Sequence, residues 1–322
     1  MKENENFCKN SFKHFQKNKK YVTIRWYVLK DLIELLTNAR INVHYERDFN
    51  LSKKSTIGIG GRAKIAFFPK KLKEFIALAD CLFDEDIPFL ILGNASNVLL
   101  PDEELDKPII FTTNLTSIEF LNGVFVEAGV SSNAFLKECE KYGKTGAEFL
   151  AGIPCTIGGA TYMNAGAGGK YISDIVKRVL IYKRKKLFLV PKNACEYSYK
   201  KSSFMDTDEV ILGVELELEN ATSDEVIENR KNVLKSREGL PKGKSLGCIF
   251  KNPLGDYAGR LIEGAGLKGL RVGGAVVSNV HANFIINDSG ATAKDVKQLI
   301  SLVKNAVFAQ YKINLEEEIR IF

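Results

Sequence analysis

The stretch Gly93-Asn94-Ala95-Ser96-Asn97 directly follows an apolar segment, Pro88–Leu92, which is predicted to be a buried strand. A second glycine-rich stretch, Gly152-Ile153-Pro154-Cys155-Thr156-Ile157-Gly158-Gly159-Ala160, is closely followed by Asn164-Ala165-Gly166. Glycines let backbone N–H groups approach a ligand closely, and several N–H groups that point at one spot bind anions. Together the two stretches predict a dinucleotide held from two sides, whereas either stretch taken alone could be a plain loop.

The composition is that of an ordinary globular protein, with 45% apolar and 26% charged residues in a chain of 322. Residues 1–20 contain six lysines and two acidic residues, so much of the net charge of +7 belongs to this segment. The remaining charge is too weak to indicate nucleic-acid binding. No membrane span is expected, because charged side chains interrupt the partly apolar segment Tyr21–Leu36.

The six cysteines form no Cys-x-x-Cys pair, and no secretory signal is recognisable. This pattern favours reduced thiols in a cytoplasmic protein and no metal site. We expect a monomer that binds a small molecule.

Hydrophobic periodicity predicts three regions. Residues 1–27 are predicted to be a disordered extension, residues 28–220 a mixed domain of helices and strands, and residues 221–322 a second, α+β domain. In the last region Ser223 and Thr292 are predicted to cap helices. The clearest predicted helices are Lys70–Phe83, Ser132–Tyr142, Ser223–Arg237 and Thr292–Tyr311.

The segment Gly264-Ala265-Gly266-Leu267-Lys268-Gly269 matches the G-x-G-x-x-G string of dinucleotide-binding sites. Such a site needs a strand before the glycines and a helix after them. Here a predicted helix, Tyr257–Glu263, comes first and a predicted strand, Arg271–Val277, follows. The string therefore indicates a glycine-dense turn.

Cys248 lies in the segment Ser245-Leu246-Gly247-Cys248-Ile249-Phe250-Lys251-Asn252-Pro253. A lone cysteine is more often a small buried apolar side chain than a catalyst. Several lysines around it, however, supply the positive setting that a functional thiol needs. The run Glu316-Glu317-Glu318 would ordinarily be a solvated charged surface.

Taken in order, the segments of this chain are similar to those of the UDP-N-acetylenolpyruvoylglucosamine reductases, the MurB family. The likeness extends from about Leu51 to Arg320. The segments that carry it are Ser55-Thr56-Ile57-Gly58-Ile59-Gly60-Gly61, Leu92–Asn97, Glu148–Pro154, Ile157–Ala160, Asn164–Gly166, Gly247–Pro253, Ala258–Glu263, Ala265–Gly269 and His281–Ile285.

The resemblance implies an α+β protein with an FAD-binding fold of the vanillyl-alcohol-oxidase (PCMH) type in two subdomains, plus a C-terminal substrate-binding domain. It also implies FAD as the cofactor, NADPH as the co-substrate, and UDP-N-acetylglucosamine enolpyruvate as the substrate. The product would be UDP-N-acetylmuramate, a peptidoglycan precursor. The short segment between Val176 and Phe204 resembles the shorter subgroup, which lacks a substrate-capping tyrosine loop.

The resemblance further implies roles for individual residues. Cys248 would donate a proton, while Lys200 and Glu318 would stabilise the anionic intermediate, with burial keeping Glu318 protonated. The residues expected at the cofactor are Gly60, Gly61, Gly93, Asn94, Ala95, Ser96, Asn97, Gly152, Ile153, Pro154, Gly158, Gly159, Asn164 and Gly166. Those expected at the substrate are Lys251, Asn252 and Arg271.

Three of these positions depart from the family pattern. Ala95 replaces a glycine, so its backbone must have a negative φ or bear strain. Lys200 replaces an arginine and keeps the charge without the bidentate geometry. Cys248 replaces a serine, and a neighbouring lysine would lower the pKa of its thiol. The departures leave open two alternatives: another FAD-fold oxidoreductase that acts on an alcohol, and a catalytically impaired flavin- or nucleotide-binding protein.

Overall fold

A computed structural model describes residues 32–121 and 123–322. Residues 43–322 form one compact unit, and residues 32–42 are the described part of a second. The predicted extension over residues 1–27 lies outside the described residues, so its disorder stays a prediction, as does the domain boundary at residue 220. No helix within the described ranges is long and apolar enough to cross a membrane.

Six of the eight helices in the described residues lie close to predicted ones. The eight are α1 (residues 32–38), α2 (Leu72–Asp84), α3 (Ser132–Tyr142), α4 (Ile157–Met163), α5 (Ile172–Ile175), α6 (Ser223–Ser236), α7 (Ala258–Gly264) and α8 (Ala293–Tyr311). Helices α4 and α5 were not predicted. Thr292 caps α8 as predicted. The cap of α6, however, is Thr222 and not Ser223, because Thr222 forms a reciprocal capping box with Glu225.

Helix α4 lies inside the second glycine-rich stretch, where only a loop was predicted. Gly158 and Gly159 lower its intrinsic helix propensity. It forms because Thr156 caps its first turn and because Ile157 and Ala160 are fully buried.

The strands of the described residues lie singly or in groups between these helices. In the first part they are β1 (Tyr45–Asn50), β2 (Arg62–Phe67), β3 (Leu90–Leu92), β4 (Val98–Leu99), β5 (Ile109–Phe111), β6 (Ile118–Leu121), β7 (Gly123–Glu127), β8 (Lys144–Thr145), β9 (Gly166–Ala167) and β10 (Lys170–Tyr171). They continue as β11 (Val176–Lys183), β12 (Lys186–Pro191), β13 (Val210–Leu216), β14 (Glu219–Asn220), β15 (Ser245–Cys248), β16 (Arg271–Val272), β17 (Ala275–Val277), β18 (Phe284–Asn287) and β19 (Arg320–Ile321).

Three sheets organise the compact unit. The largest is antiparallel, with strand order β12-β11-β13-β7-β6, and its hydrophobic core packs against α3 and α4. A mixed sheet, β1-β2-β5-β3, surrounds a smaller core in which the rings of Phe68 and Phe111 stack 5.2 Å apart. The third sheet, β15-β18-β17-β16, is antiparallel and shares its core with α7 and α8.

One short strand connects the C-terminus to the first glycine-rich stretch. β19 pairs in parallel with β4, so that Arg320 lies opposite Val98. The N–H of Arg320 also donates to the carbonyl oxygen of Asn97 at 2.9 Å. This pairing brings the chain around Glu318 to the loop at residues 93–97, although more than two hundred residues separate the two in sequence.

Candidate active site

A large cleft, of about 1460 Å³, lies within the compact unit. Both glycine-rich stretches line it, and so do the segments that carry the predicted catalytic residues. The predicted site residues in its wall are Gly93, Asn94, Ala95, Ser96, Asn97, Gly152, Ile153, Pro154, Gly158, Gly159, Gly166, Lys200, Cys248, Asn252 and Glu318. The structure therefore gathers into one space residues that lie far apart in sequence.

The first loop, residues 93–97, connects β3 to β4. Ala95 is 4% exposed and has φ of +44°, which lies in the left-handed region. Of the two possibilities that the sequence left open, a negative φ or a strained backbone, the structure shows the strained backbone. Among the described residues, no hydrogen-bond acceptor takes the backbone N–H groups of residues 94–97. A short run of free N–H groups around a left-handed residue is an anion-binding arrangement.

The second loop uses its N–H groups differently. The N–H of Ile157 donates to Val130 (2.8 Å), that of Gly158 to Ala128 (2.9 Å), and that of Gly159 to the Thr156 hydroxyl (3.2 Å). A Cβ on Gly158 would lie 2.7 Å from the Cβ of Ala128. These glycines therefore allow close packing, and their N–H groups are already satisfied inside the protein.

The two loops touch each other directly. The side-chain amide of Asn94 donates to the carbonyl oxygen of Pro154 at 2.9 Å. A Cβ on Gly93 would lie 2.5 Å from the Thr156 hydroxyl oxygen. The absence of a side chain at Gly93 thus allows the two loops to lie this close. The hydrogen bond from Asn94 to Pro154 also stabilises the first loop.

Lys200 and Glu318 form an ion pair in the cleft wall, with Nζ and Oε1 2.8 Å apart and side chains 15% and 14% exposed. The backbone holds Glu318 in place: its N–H donates to Ile249 at 2.8 Å, and its carbonyl accepts from the Asn97 amide at 3.0 Å. The expected protonation of Glu318 stays a prediction. What the structure adds is the contact with Lys200, whose turn lies beside the Glu318 side chain.

Cys248 ends β15 next to this pair. Burial raises the pKa of its thiol to about 11, and the Glu318 carboxylate adds to the increase, while Lys200 and Arg237 oppose it. A neighbouring lysine alone would have lowered this pKa, but desolvation has the larger effect. The thiol therefore stays protonated near neutral pH, as a proton donor requires.

Five predicted site residues lie outside the cleft wall. Lys251 pairs with Glu316 at 2.5 Å, and Arg271 pairs with Asp288 at 2.6 Å. Gly60 and Gly61 pack closely against Leu100 and the backbone of Asp102, and Asn164 is buried. The ligand-binding roles expected for these five residues stay predictions.

Arg237 is a candidate that the sequence reasoning missed. It lines the cleft just after α6, and the structure assigns no hydrogen-bond partner to its buried Nε among the described residues. This nitrogen lies 3.1 Å from where a Cβ would sit on Gly152, beside the second loop. The residue had been interpreted only as the end of a helix. An arginine two residues before the Lys- and Gly-rich segment 239–247 was the available signal.

Comparisons with known proteins agree with this geometry. A family model described as UDP-N-acetylenolpyruvoylglucosamine reductase, C-terminal domain, matches residues 240–322, and one described as an FAD binding domain matches residues 63–185. The reductase of Chlamydia felis is 37% identical over 84% of this chain and 92% of its own length. The chain belongs to the UDP-N-acetylenolpyruvoylglucosamine reductase family. Another family member, from Caldicellulosiruptor saccharolyticus, is 36% identical over 87% of this chain and 92% of its own.

A solved structure of the family supports the same conclusion. The UDP-N-acetylenolpyruvylglucosamine reductase (MurB) of Thermus caldophilus has a TM-score of 0.75 to this chain at 32% sequence identity, covering 87% of this chain and 99% of its own. The predicted family, the α+β class and the FAD-binding fold are therefore confirmed.

The cleft fits the FAD of this reductase family. Its volume of about 1460 Å³ is large enough for a dinucleotide together with part of a substrate. The free N–H groups of residues 94–97 suit a pyrophosphate, and Gly93, without a side chain, keeps the neighbouring wall close. The chemistry and shape of the wall therefore agree with the cofactor that the family requires.

Proposed function

We propose that this protein reduces UDP-N-acetylglucosamine enolpyruvate to UDP-N-acetylmuramate, with NADPH as the reductant and FAD as the bound cofactor, in peptidoglycan precursor synthesis. The observation that carries the proposal is the placement of a protonated thiol, Cys248, beside the Lys200–Glu318 ion pair in the same cleft as the anion-binding loop. Bound FAD supplies hydride transfer from NADPH to the substrate.

Holding the cofactor falls mainly to the first loop. The free N–H groups of residues 94–97 bind the pyrophosphate, and the lack of acceptors for them among the described residues supports this role. Gly152, Ile153, Pro154, Gly158, Gly159 and Gly166 shape the facing wall. Because most of their N–H groups are already bonded or absent, these residues contribute contact surface more than hydrogen bonds.

When hydride is added to the methylene carbon of the enolpyruvyl group, negative charge develops on the adjacent carbon and spreads into the carboxylate that this carbon bears. Lys200 stabilises that charge. Its side chain is only 15% exposed, and an ammonium group in such a setting acts more strongly on the charge than one in water. Glu318 holds that ammonium group at the reacting end of the substrate. Cys248 then donates its thiol proton to the carbanion as the general acid.

We assign Arg237 to bind the diphosphate of the sugar nucleotide. Its guanidinium has no carboxylate partner among the described residues, and its Nε has an unused N–H. Lys251 and Arg271, in contrast, would first have to release Glu316 and Asp288. Asn252 lines the cleft and completes the proposed substrate contacts.

We also propose a cytoplasmic location. The five cysteines of the described residues are all unpaired, which suits a compartment that keeps thiols reduced. A monomer is our expectation for the oligomeric state.

The test separates the two half-reactions in Cys248 variants. We expect Cys248→Ala to leave reduction of the bound flavin by NADPH within about twofold of the wild-type rate and to slow turnover with the enolpyruvyl substrate by about 10²–10⁴-fold. Cys248→Ser, which keeps a donor, should retain most activity. Near-normal turnover by Cys248→Ala would refute the proton-donor assignment. A wild-type protein that binds FAD but does not turn over this substrate would favour the binding-protein alternative.

A further inference from the structure

Asn164 lies at the C-terminal end of α4, is 4% exposed, and has a left-handed backbone with φ of +44°. Its Nδ2 donates to the carbonyl oxygen of Ser198 at 2.8 Å, and its Oδ1 accepts from the N–H of Ser173 at 3.2 Å. Both polar ends of the side chain are thus engaged within the protein. The arrangement differs from that of a cofactor ligand, which presents a polar atom to the cleft.

The carbonyl of Ser198 begins the turn that carries Lys200. Ser198 and Lys201 exchange backbone hydrogen bonds of 3.1 and 3.2 Å, which close a four-residue turn. Lys200 is the third residue of this turn and has φ of +54°. A positive φ at that position favours glycine or asparagine, and a lysine keeps it only where surrounding contacts impose it.

Two of those contacts come from the end of α4. The first is the Asn164 amide on Ser198, and the second is the Ser202 hydroxyl, which donates to the carbonyl of Tyr162 at 2.6 Å. The Tyr199 hydroxyl is also engaged, because it accepts from the N–H of Asn252 at 3.3 Å. Held in this way, the turn directs the ammonium group of Lys200 to Glu318.

We infer that Asn164 is a positioning residue that imposes the strained turn of Lys200, and not a residue that binds the cofactor. The expected effect on catalysis rests on the proposed function, whereas the effect on the conformation of the turn does not. The second glycine-rich region thereby contributes to the chemistry, because residues at the end of α4 hold the turn of Lys200 in place through hydrogen bonds.

Asn164→Asp is the sharpest variant. Aspartate tolerates a left-handed backbone and can still accept from Ser173, but its ionised carboxylate cannot donate to Ser198. Asn287→Asp is the matched control: Asn287 likewise donates to a carbonyl (Ile57, 2.9 Å) and accepts from an N–H (Ala291, 2.8 Å), without contact to the turn of Lys200.

The first measurement does not depend on activity. The FAD-loaded protein is treated briefly with an amine-acylating reagent, and modification of Lys200 is quantified by peptide mass spectrometry. Exposed Lys231 in α6, which lies outside the turn, is the internal reference. We expect Asn164→Asp to raise the modification of Lys200 about fivefold or more, because the freed turn exposes the amine. Asn287→Asp should leave it unchanged.

The second measurement is kinetic. We expect Asn164→Asp to leave flavin reduction by NADPH within about twofold and to slow flavin reoxidation by the enolpyruvyl substrate by about tenfold or more. In a Lys200→Ala background the same substitution should change reoxidation by less than about twofold, because the two residues act as a unit.

The inference is overturned if Asn164→Asp leaves the labelling of Lys200 unchanged, if Asn287→Asp raises it equally, or if the double variant is additive. Should Asn164→Asp fail to fold, Asn164→Gly keeps the left-handed backbone and supplies the same comparisons. If the wild-type protein does not react with the enolpyruvyl sugar nucleotide, the proposed function fails, and the labelling of Lys200 still decides the role of Asn164.

Discussion

The two glycine-rich regions of the cleft look alike in sequence and behave differently in the structure. In the first region the backbone N–H groups of residues 94–97 have no acceptor among the described residues, and Ala95 in their midst has a left-handed backbone. In residues 152–160 the N–H groups of Ile157, Gly158 and Gly159 are bonded internally, and α4 starts there. The first region offers donors to a ligand, and the second offers close packing.

The difference teaches that glycine density alone does not identify an anion site. Glycine permits a close approach whether the neighbour is a ligand or another part of the protein. At Gly158 the neighbour is Ala128. A Cβ added to Gly158 would lie 2.7 Å from the Cβ of Ala128, closer than real Cβ contacts essentially ever are. The positions of nearby acceptors decide which N–H groups remain free. For Ile157 and Gly158 these acceptors are the carbonyls of Val130 and Ala128, from another segment of the chain.

The largest expected effect comes from Gly158→Ala. Its methyl group would overlap the buried Cβ and backbone of Ala128, so we expect the free energy of unfolding of the FAD-free protein to fall by about 3 kcal/mol. Denaturant unfolding followed by circular dichroism measures this change.

Gly159→Ala is the matched control for that experiment, since it lies next to Gly158 in the same helix. Its Cβ would meet only the Thr156 hydroxyl, at 3.2 Å. Because alanine also improves helix propensity, we expect a stability change within about 1 kcal/mol. Equal stability of the two variants would contradict the packing role of Gly158.

An intermediate effect is expected for Gly93→Ala, which alters the contact between the two regions. The new methyl group would push the Thr156 hydroxyl away and widen the spacing of the loops. We expect the Kd for FAD to rise about tenfold, which corresponds to about 1.4 kcal/mol. Fluorescence titration of the FAD-free protein measures it.

A double-mutant cycle sharpens this prediction. In a Thr156→Ala background the obstructing hydroxyl is gone, so Gly93→Ala should change the Kd by less than about twofold. An undiminished tenfold loss in that background would show that the methyl group at residue 93 acts on FAD directly and not through the second region.

The smallest effect is expected for Ala95→Gly. Relief of left-handed strain, about 1 kcal/mol, is offset by the greater freedom of glycine in the unfolded chain and by loss of a buried methyl group. We expect the free energy of unfolding to stay within about 0.5 kcal/mol and FAD affinity within about twofold. A tenfold loss of affinity would mean that the methyl group, and not the free N–H groups alone, shapes the anion site.

Local signals in the sequence predicted many elements well. Helix α3 has the bounds that were predicted, because Ser131 caps its start and Gly143, in the left-handed region, ends it. The motif segments identified the family and the FAD-binding fold. In contrast, α4 was missed, because its stability comes from buried contacts that override the two glycines.

The sequence by itself determined the family, the fold class, the cofactor and the presence of a thiol where the family has a serine, because these depend on residue identity and order. Tertiary structure alone decided which N–H groups stay free, that Lys200 pairs with Glu318, and that burial raises the pKa of Cys248. It also decided that the Nε of Arg237, in the cleft wall, has no hydrogen-bond partner among the described residues. The physical reason is that hydrogen-bond satisfaction and desolvation depend on neighbours that are far away along the chain and become adjacent only on folding.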